Sequence, residues 1–377
     1  MKVVLPLRSS KMTLEPQMTS PRTTTTQRVA VIGAGVMGRS IALLNLQSGI
    51  DVVLTDSKRE TLQSASDWLN GQIEHHTSPG KLTPVDGIEN LTGVDLVAEA
   101  VIENRSVKRR VFKTLGEQFP SDTILASNTS SLLIAELADV VPDPGRVCGI
   151  HFCHPVAHRP LIEVVRSVAS TDECIERAAA YVAQLGKRSL VATDVPGFAV
   201  NRLLFPYLDA AVDLVRAGVA WQRIESCATA FGMPLGPLAQ LDEIGIDVTL
   251  RVAAAIHRGS VTVPPKSETL LSLYQAGRLG RKTGAGFFRY ENGDPQPHAD
   301  PQAVALVSPP ETDTLNCDDH ELTRRLFLPM LEAANDLLER GIVATSDDIH
   351  HAYHGGLGLN PPGGDLLQWG KSVASAR

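Results

Sequence analysis

Three features of the sequence predict an α/β chain in which a parallel-sheet domain precedes two repeated all-helical domains. Short apolar runs alternate with amphipathic helical patterns through the first half. One strand–helix junction reads G-x-G-x-x-G. The second half contains the same helical passage twice. Length and composition agree: 377 residues are too many for one small core, and 43% apolar with 20% charged residues can build more than one. A formal charge of -7 disfavours a general nucleic-acid binder. No apolar run is long enough to span a bilayer, and Lys2 to Leu7 is too short for a signal-peptide core. Five cysteines without a C-x-x-C pair suit a reducing compartment, so a soluble, cytoplasmic protein is expected.

Residues 1–26 have neither periodicity nor apolar content and are expected to be a disordered lead. A Rossmann-like dinucleotide-binding domain is expected over residues 27–193. It opens with the buried-strand run Val29-Ala30-Val31-Ile32, then Gly33-Ala34-Gly35-Val36-Met37-Gly38, then an apolar helix pattern through Ile41, Leu43, Leu44 and Leu46. Each glycine has a mechanical duty: Gly33 allows the tight turn, Gly35 lets a pyrophosphate approach the backbone, and Gly38 lets helix and strand pack closely. Val36 and Met37 complete the cofactor-facing set, and the N–H groups at the helix start receive phosphate charge. A second strand, residues 52–55, ends in Asp56. That is about the 20-residue spacing expected of the acid that binds an adenine-ribose 2′-hydroxyl. A carboxylate there would repel a 2′-phosphate, so NAD is the expected cofactor. Lys58 and Arg59 just beyond are cations that would accept such a phosphate, which leaves NADP open.

Residues 96–101, including Ala100, read as the next central strand, and Glu103-Asn104 opens a basic helix with Arg105, Lys108, Arg109, Arg110 and Lys113. Residues 124–126 lead into Ser127-Asn128-Thr129-Ser130-Ser131, a strand end that spills polar side chains into a loop. Ligands collect outside the carboxyl ends of the strands in an open α/β sheet, so Glu103, Asn128, Ser130 and His151 should face one crevice. The alternative for the Ser/Thr run is a helix N-cap before Leu132, a role open to Ser131.

Within Gly149 to Val164 an apolar strand ends at His151 and another carries Glu163, with a turn fixed by Pro155 and Pro160 between them. The two residues read either as a general base with its orienting carboxylate, or as a core histidine beside an unrelated surface glutamate. This stretch alone does not choose. His151, Cys153, His154 and His158 also invite a metal site, but strand alternation turns 154 away from 151 and 153, and no second ligand cluster follows. No metal is therefore expected. His350, His351 and His354 lack the glutamate of H-E-x-x-H and read as surface or interface residues.

After a strand at residues 188–191, Pro196-Gly197-Phe198 breaks the chain and the pattern turns helical. Helices are expected at residues 201–216, 224–231, 247–256 and 270–276, within a substrate domain spanning 194–290. Residues 291–315, rich in Pro, Asp and Gln, read as a linker. Beyond it, in residues 316–377, Leu328-Pro329-Met330-Leu331-Glu332-Ala333-Ala334 echoes Phe205-Pro206-Tyr207-Leu208-Asp209-Ala210-Ala211. The helical domain is read as duplicated.

Assembled, these motifs resemble the L-3-hydroxyacyl-CoA dehydrogenase family from Arg28 to about Trp369. They are V-I-G-A-G-V-M-G, A-V-I-E-N, A-S-N-T-S-S, G-I-H-F at His151, Pro196-Gly197-Phe198 with Val200-Asn201-Arg202, Gly232 to Pro237, and K-T-G-A-G-F. The resemblance implies that His151 takes the 3-hydroxyl proton, that Glu163 is its partner, and that Ser130 and Asn201 bind the reacting oxygen. It implies that Glu103, Lys108, Asn128 and Lys282 surround the nicotinamide and its ribose, with Gly33, Gly35, Val36, Met37, Gly38, Asp56 and Ala100 along the rest of the cofactor.

Two departures from the family pattern bear on substrate. The usual His-Phe-Phe-Asn-Pro is His151-Phe152-Cys153-His154-Pro155 here, so His154 stands at a substrate-facing position. The segment after Asp56 is shorter than usual, and the family carries there a helical hairpin that contacts CoA. Both changes, with the basic run 105–113, favour an acyl carrier protein over CoA as the thioester carrier. The implied reaction is oxidation of a carrier-bound 3-hydroxyacyl unit such as glyceryl, on the way to hydroxy- or methoxymalonyl units for polyketides. The alternatives are ordinary 3-hydroxyacyl-CoA oxidation, in fatty-acid or butyrate metabolism, and a catalytically idle structural family member. A β-hydroxyacid dehydrogenase with a lysine base is disfavoured by His151, Glu163 and Asn201. The duplication suggests a monomer or weak dimer, since the repeat supplies within the chain the surface a second subunit would otherwise bring.

Overall fold

The computed structural model describes residues 25–257, 266–292, 294–296, 298–307 and 315–375. Most of the expected lead (1–24), and residues 308–314 of the expected linker, lie outside the described residues. The first half runs β1 (Arg28–Ile32), α1 (Val36–Gln47), β2 (Asp51–Thr55), α2 (Arg59–Ile73), β3 (Leu82–Pro84), β4 (Leu96–Glu99), α3 (Arg105–Gln118), β5 (Ile124–Ser127), α4 (Ile134–Ala138), β6 (Val147–Phe152), β7 (Leu161–Arg166), α5 (Asp172–Gln184) and β8 (Arg188–Thr193). The eight strands form one sheet in the order β3-β2-β1-β4-β5-β6-β7-β8, parallel throughout except between β6 and β7. β4 and β5 are buried along their whole length, because helices cover both faces of the sheet. That is why these strands read as unbroken apolar runs rather than as alternation. The strand order reverses between β1 and β4, which opens a crevice at their carboxyl ends.

β3 is the one strand of this sheet not read in the sequence, where Pro79, Gly80, Pro84 and Gly87 look only like breakers. An edge strand needs hydrogen bonds on one side alone, so Pro84 is tolerated there. Thr26, assigned to the lead, is in fact held: its N–H donates to Gln184 Oε1 at 3.1 Å and its carbonyl accepts from Gln184 Nε2 at 2.7 Å.

The chain then turns through Gly197 (φ 82°) and Phe198 (φ 49°). The helices that follow are α6 (Val200–Arg216), α7 (Trp221–Ala230), α8 (Pro237–Ile244), α9 (Ile246–Ile256) and α10 (Lys266–Gln275). α8 begins at Pro237, the last residue of the Gly232 to Pro237 motif. Pro237 sits at its first turn, where a missing N–H costs nothing. The expected linker is also more structured than its composition suggests. It holds a two-stranded hairpin, β9 (Tyr290–Glu291) with β10 (Asp294–Pro295), and α11 (Pro301–Val307). Buried Asp300 pins it at 2.6 Å to Arg278, which is itself buried.

The repeat contributes α12 (Asp319–Glu339), α13 (Ser346–His351), a π-helical turn at Ala352–Leu357 and α14 (Leu366–Ser375). α12 lies along α6, each with its proline inside the helix, Pro206 and Pro329. Phe327, fully buried, stacks on Tyr207 at 5.1 Å and meets Phe231 at 4.0 Å. The π-helical turn reaches further and presses on the sheet domain. A Cβ on Gly356 would lie 2.7 Å from the Val200 side chain, and one on Gly355 3.0 Å from Leu161. Among the described residues no helix is long and apolar enough to cross a membrane.

Removing a ring from a closed aromatic cluster leaves a cavity that neighbours refill only in part. Phe327→Ala should therefore cost about 3–5 kcal/mol, seen as a lowered urea midpoint with little change in slope if the protein unfolds in one step.

Candidate functional site

The glycine loop divides its three duties as the spacing implies. Gly33 turns at φ 97°, and a Cβ there would lie 2.6 Å from the Ala100 carbonyl oxygen. At Gly38 it would lie 1.7 Å from the Gly33 carbonyl oxygen, so strand and helix meet there backbone to backbone. At Gly35 nothing lies within 4 Å. The open space in front of Gly35, and a helix start with no side-chain cap, fit a pyrophosphate. Asp56 stands behind the loop: one carboxylate oxygen accepts from the Ala34 N–H at 2.8 Å and the other from the Lys58 N–H at 2.9 Å. Val36, 57% exposed, and Ile102, 70% exposed, are large apolar groups left uncovered on this face.

Beyond β4 lies a buried charge network only partly legible in the sequence. Lys108, 1% exposed, donates from Nζ to Glu99 Oε1 at 2.7 Å and pairs with Glu103 Oε2 at 3.2 Å. Glu99, fully buried, also accepts from the Ser127 hydroxyl at 2.7 Å and the Val101 N–H at 2.8 Å. Glu103 accepts from the hydroxyls of Thr129 and Ser131, the latter at 2.7 Å. Burial works to raise the Glu103 carboxyl, but the Lys108 ammonium and the two hydroxyls outweigh it and hold it below the usual carboxylate value. Glu99 escaped the sequence reading, although a carboxylate inside an otherwise apolar strand run is itself a signal. Ser131 does not cap α4. That role falls to Asp194, whose two oxygens accept from the Ile134 and Ala135 N–H groups at 2.9 and 2.8 Å from sixty residues away.

His151 and Glu163 are cross-strand partners in the antiparallel β6–β7 pair. The imidazole Nδ1–H donates to Glu163 Oε2 at 2.6 Å, with His151 8% exposed and Glu163 fully buried. The other Glu163 oxygen accepts from the Ala199 and Val200 N–H groups at 2.8 and 3.0 Å. Those two groups start α6, whose next residue is Asn201, half-buried. The Gly197-Phe198 turn makes this possible, and the Phe198 ring packs edge-on against His151 at 5.7 Å. Asn128 Oδ1 accepts from the Phe152 N–H at 2.9 Å and so ties the β5 loop to the residue after His151.

A cavity of about 180 Å³ lies beside these groups, lined by Met37, Ala100, Val101, Glu103, Lys108, Asn128 and Ser130 from the sheet side and by Val248, Arg251 and Val252 from α9. His151, Glu163 and Asn201 are not among its lining residues, and Lys282 and His154 also stand outside that set. Lys282 ion-pairs with Asp247 in the first turn of α9. His154, exposed, lies 4.0 Å from Glu243, which also holds Arg281 at 2.9 Å. Partial desolvation of its ring, helped by Arg159 and opposed by Glu243, holds His154 below the usual histidine value.

His151, Cys153 and Glu163 bring one ligand atom each within 4.8 Å of one another. A 2.6 Å hydrogen bond is too short a separation for two ligands of one zinc ion, whose bonds to N and O are each about 2.0–2.2 Å long with tetrahedral angles between them. Burial and the Glu163 charge also push the Cys153 thiol up, away from the thiolate a metal needs. The triad is a hydrogen-bonded pair with a neutral thiol beside it.

Comparison with known proteins gives this geometry a family. The model of the 3-hydroxyacyl-CoA dehydrogenase NAD binding domain matches residues 28–195, and that of the 3-hydroxyacyl-CoA dehydrogenase C-terminal domain matches residues 197–290. FadB2 of M. tuberculosis is 32% identical over 71% of this chain and 100% of its own, with a TM-score of 0.66. The (S)-3-hydroxybutyryl-CoA dehydrogenase PaaH1 of Ralstonia eutropha is 29% identical over 71% of this chain and 100% of its own, TM-score 0.65. The 3-hydroxybutyryl-CoA dehydrogenase of Escherichia coli K12 is 26% identical over 93% of this chain and 92% of its own, TM-score 0.73, and so extends into the second helical repeat. The chain belongs to the 3-hydroxyacyl-CoA dehydrogenase family and is an NAD-dependent oxidoreductase of that type.

Proposed function

We propose that this protein oxidises a 3-hydroxyacyl thioester, with His151 as general base, and that the thioester is carried by an acyl carrier protein. The His151–Glu163 pair, tied through the Phe152 N–H to the cavity-lining Asn128, carries the first half of that reading. With Nδ1–H committed to Glu163, Nε2 is left with a free lone pair to take the 3-hydroxyl proton. The carboxylate then stabilises the imidazolium that forms. Ser130 and Asn201 hold the reacting oxygen, and Glu103, with Lys108 behind it, offers acceptor oxygens to a ribose hydroxyl. His154 borders the substrate. NAD, when bound, supplies the hydride acceptor, and no metal is needed.

The carrier-protein half rests on the segment after Asp56. α2 is a single helix, Arg59–Ile73, and the chain passes from it to the edge strand β3 without a helical hairpin. The basic run on α3 contributes less than its composition implies. Arg105 pairs with Glu136 at 2.7 Å, Arg109 with Asp139 at 3.0 Å, and Lys108 is buried. Arg110 and Lys113 remain as exposed cations for an acidic partner. Presenting one 3-hydroxyacyl group on CoA and on a carrier protein tests this: higher kcat/KM on the carrier is expected, and equal or better use of CoA removes the carrier reading.

His151→Gln should lower kcat by roughly 10²- to 10⁴-fold while NADH still binds, because the loop that holds the cofactor is untouched. Glu163→Gln should do comparable damage through the tautomer. Its amide NH₂ donates to Nδ1, which forces the ring proton onto Nε2 and leaves no base facing the substrate. A variant of either residue that keeps most of its kcat would exclude the assignment.

The docking of α12 onto α6 gives the chain its own second helical unit, so a monomer or weak dimer is expected. Light scattering at micromolar concentration checks this, and an obligate dimer would contradict it.

A further inference from the structure

The cavity beside Ser130 has two dissimilar walls. On the sheet side Lys108 is shared between Glu99 and Glu103, which leaves that network with one net negative charge, and Asn128 accepts from the Phe152 N–H. On the other side Val248, Arg251 and Val252 share one face of α9 at positions i, i+3 and i+4. Arg251 makes no hydrogen bond or ion pair among the described residues. The cations around it are matched: Lys282 with Asp247, Arg281 with Glu243 at 2.9 Å, and Lys108 with Glu99 and Glu103. Helix α9 thus holds one exposed guanidinium without a protein partner, between Val248 and Val252, in the wall opposite Ser130.

We propose that Arg251 is a specificity residue that selects 3-hydroxyacyl groups bearing an additional oxygen acceptor, a hydroxyl or a carboxylate, close to the reacting carbon. This inference rests on the dehydrogenase reading above and adds to it the residue that would select an oxygen-bearing acyl group, of which the glyceryl unit expected from the sequence is one case. A guanidinium offers five N–H donors and no acceptor. An alkyl chain enclosed against it would strip water from those donors and return nothing, whereas an oxygen acceptor replaces the lost hydrogen bonds. A cavity of about 180 Å³ also leaves little room for a long chain beside a nicotinamide. Because Arg251 and Ser130 line the same small cavity, the selected oxygen belongs to the acyl group itself and not to the distant end of the pantetheine arm.

Three thioesters on one N-acetylcysteamine handle test the proposal independently of the carrier: 3-hydroxybutyryl, which has no further oxygen; 2,3-dihydroxypropionyl, with a hydroxyl; and 3-hydroxysuccinyl, with a carboxylate. The wild-type protein is expected to favour at least one oxygen-bearing substrate over 3-hydroxybutyryl by about tenfold or more in kcat/KM, and which one identifies the acceptor. Arg251→Leu should erase or reverse that preference with NADH affinity, read by fluorescence titration, unchanged. Arg251→Lys should retain part of it. A wild-type protein without the preference, or an Arg251→Leu variant that keeps it, overturns the proposal. So does a uniform loss across all three substrates that tracks weakened NADH binding, which would assign Arg251 to the cofactor. Failure of the wild-type protein to oxidise any of the three would overturn the dehydrogenase reading along with it.

Discussion

The carboxylate of Glu163 is the constraint on which the arrangement of the site depends. It is fully buried, and an unpaired charge in that position would cost several kcal/mol. Its partners therefore have to be in place whenever the protein is folded: the imidazole of His151 on one oxygen, the Ala199 and Val200 N–H groups on the other. A single group thus fixes the orientation of the His151 imidazole and the start of the helix that carries Asn201. Sheet and helical unit are registered against each other through the His151–Glu163 pair. The positive-φ turn at Phe198, unfavourable for a residue with a Cβ, persists because this bonding requires it.

A second buried carboxylate performs similar service on the cofactor side. Glu99 neutralises Lys108 from beneath, so Glu103 is held at the crevice without carrying the whole burden of a buried ammonium. Loop 128–131 is then fastened to the same network through Ser127, Thr129 and Ser131. Ser130 alternates with these residues and is left facing the cavity. The polar run Ser127 to Ser131 is therefore two sets of residues in one: inward groups that anchor the loop, and the cavity-facing Asn128 and Ser130.

Much of this is legible in the sequence because it is local. The glycine loop, the strand carrying His151 and the turn before Asn201 are each defined by neighbouring residues and by periodicity. His154 does lie apart from His151 and Cys153, but not by strand alternation: β6 ends at Phe152, and Cys153 and His154 belong to the turn beyond it. What the sequence hides is long-range pairing. Nothing near Ser131 says that Asp194 caps α4, and nothing in a Pro- and Asp-rich stretch says that Asp300 is buried against Arg278. Composition misleads in the same way at α3, where a run of five cations looks like an exposed basic face until Glu99, Glu103, Glu136 and Asp139 are brought against three of them. α8 and β3 are missed for the opposite reason: prolines that look like breakers occupy a helix start and a sheet edge, where no hydrogen bond is lost.

The contact of Gly355 and Gly356 with Leu161 and Val200 shows that the two helical copies have divided their labour. One copy offers Asn201 from its first turn. The other presses the π-helical turn after α13 against Val200, the residue before Asn201, where a Cβ on Gly356 would lie 2.7 Å from the Val200 side chain. The second copy is thereby a mechanical backing for the start of the first, and the placement of Asn201 depends on residues about 150 positions further along the chain.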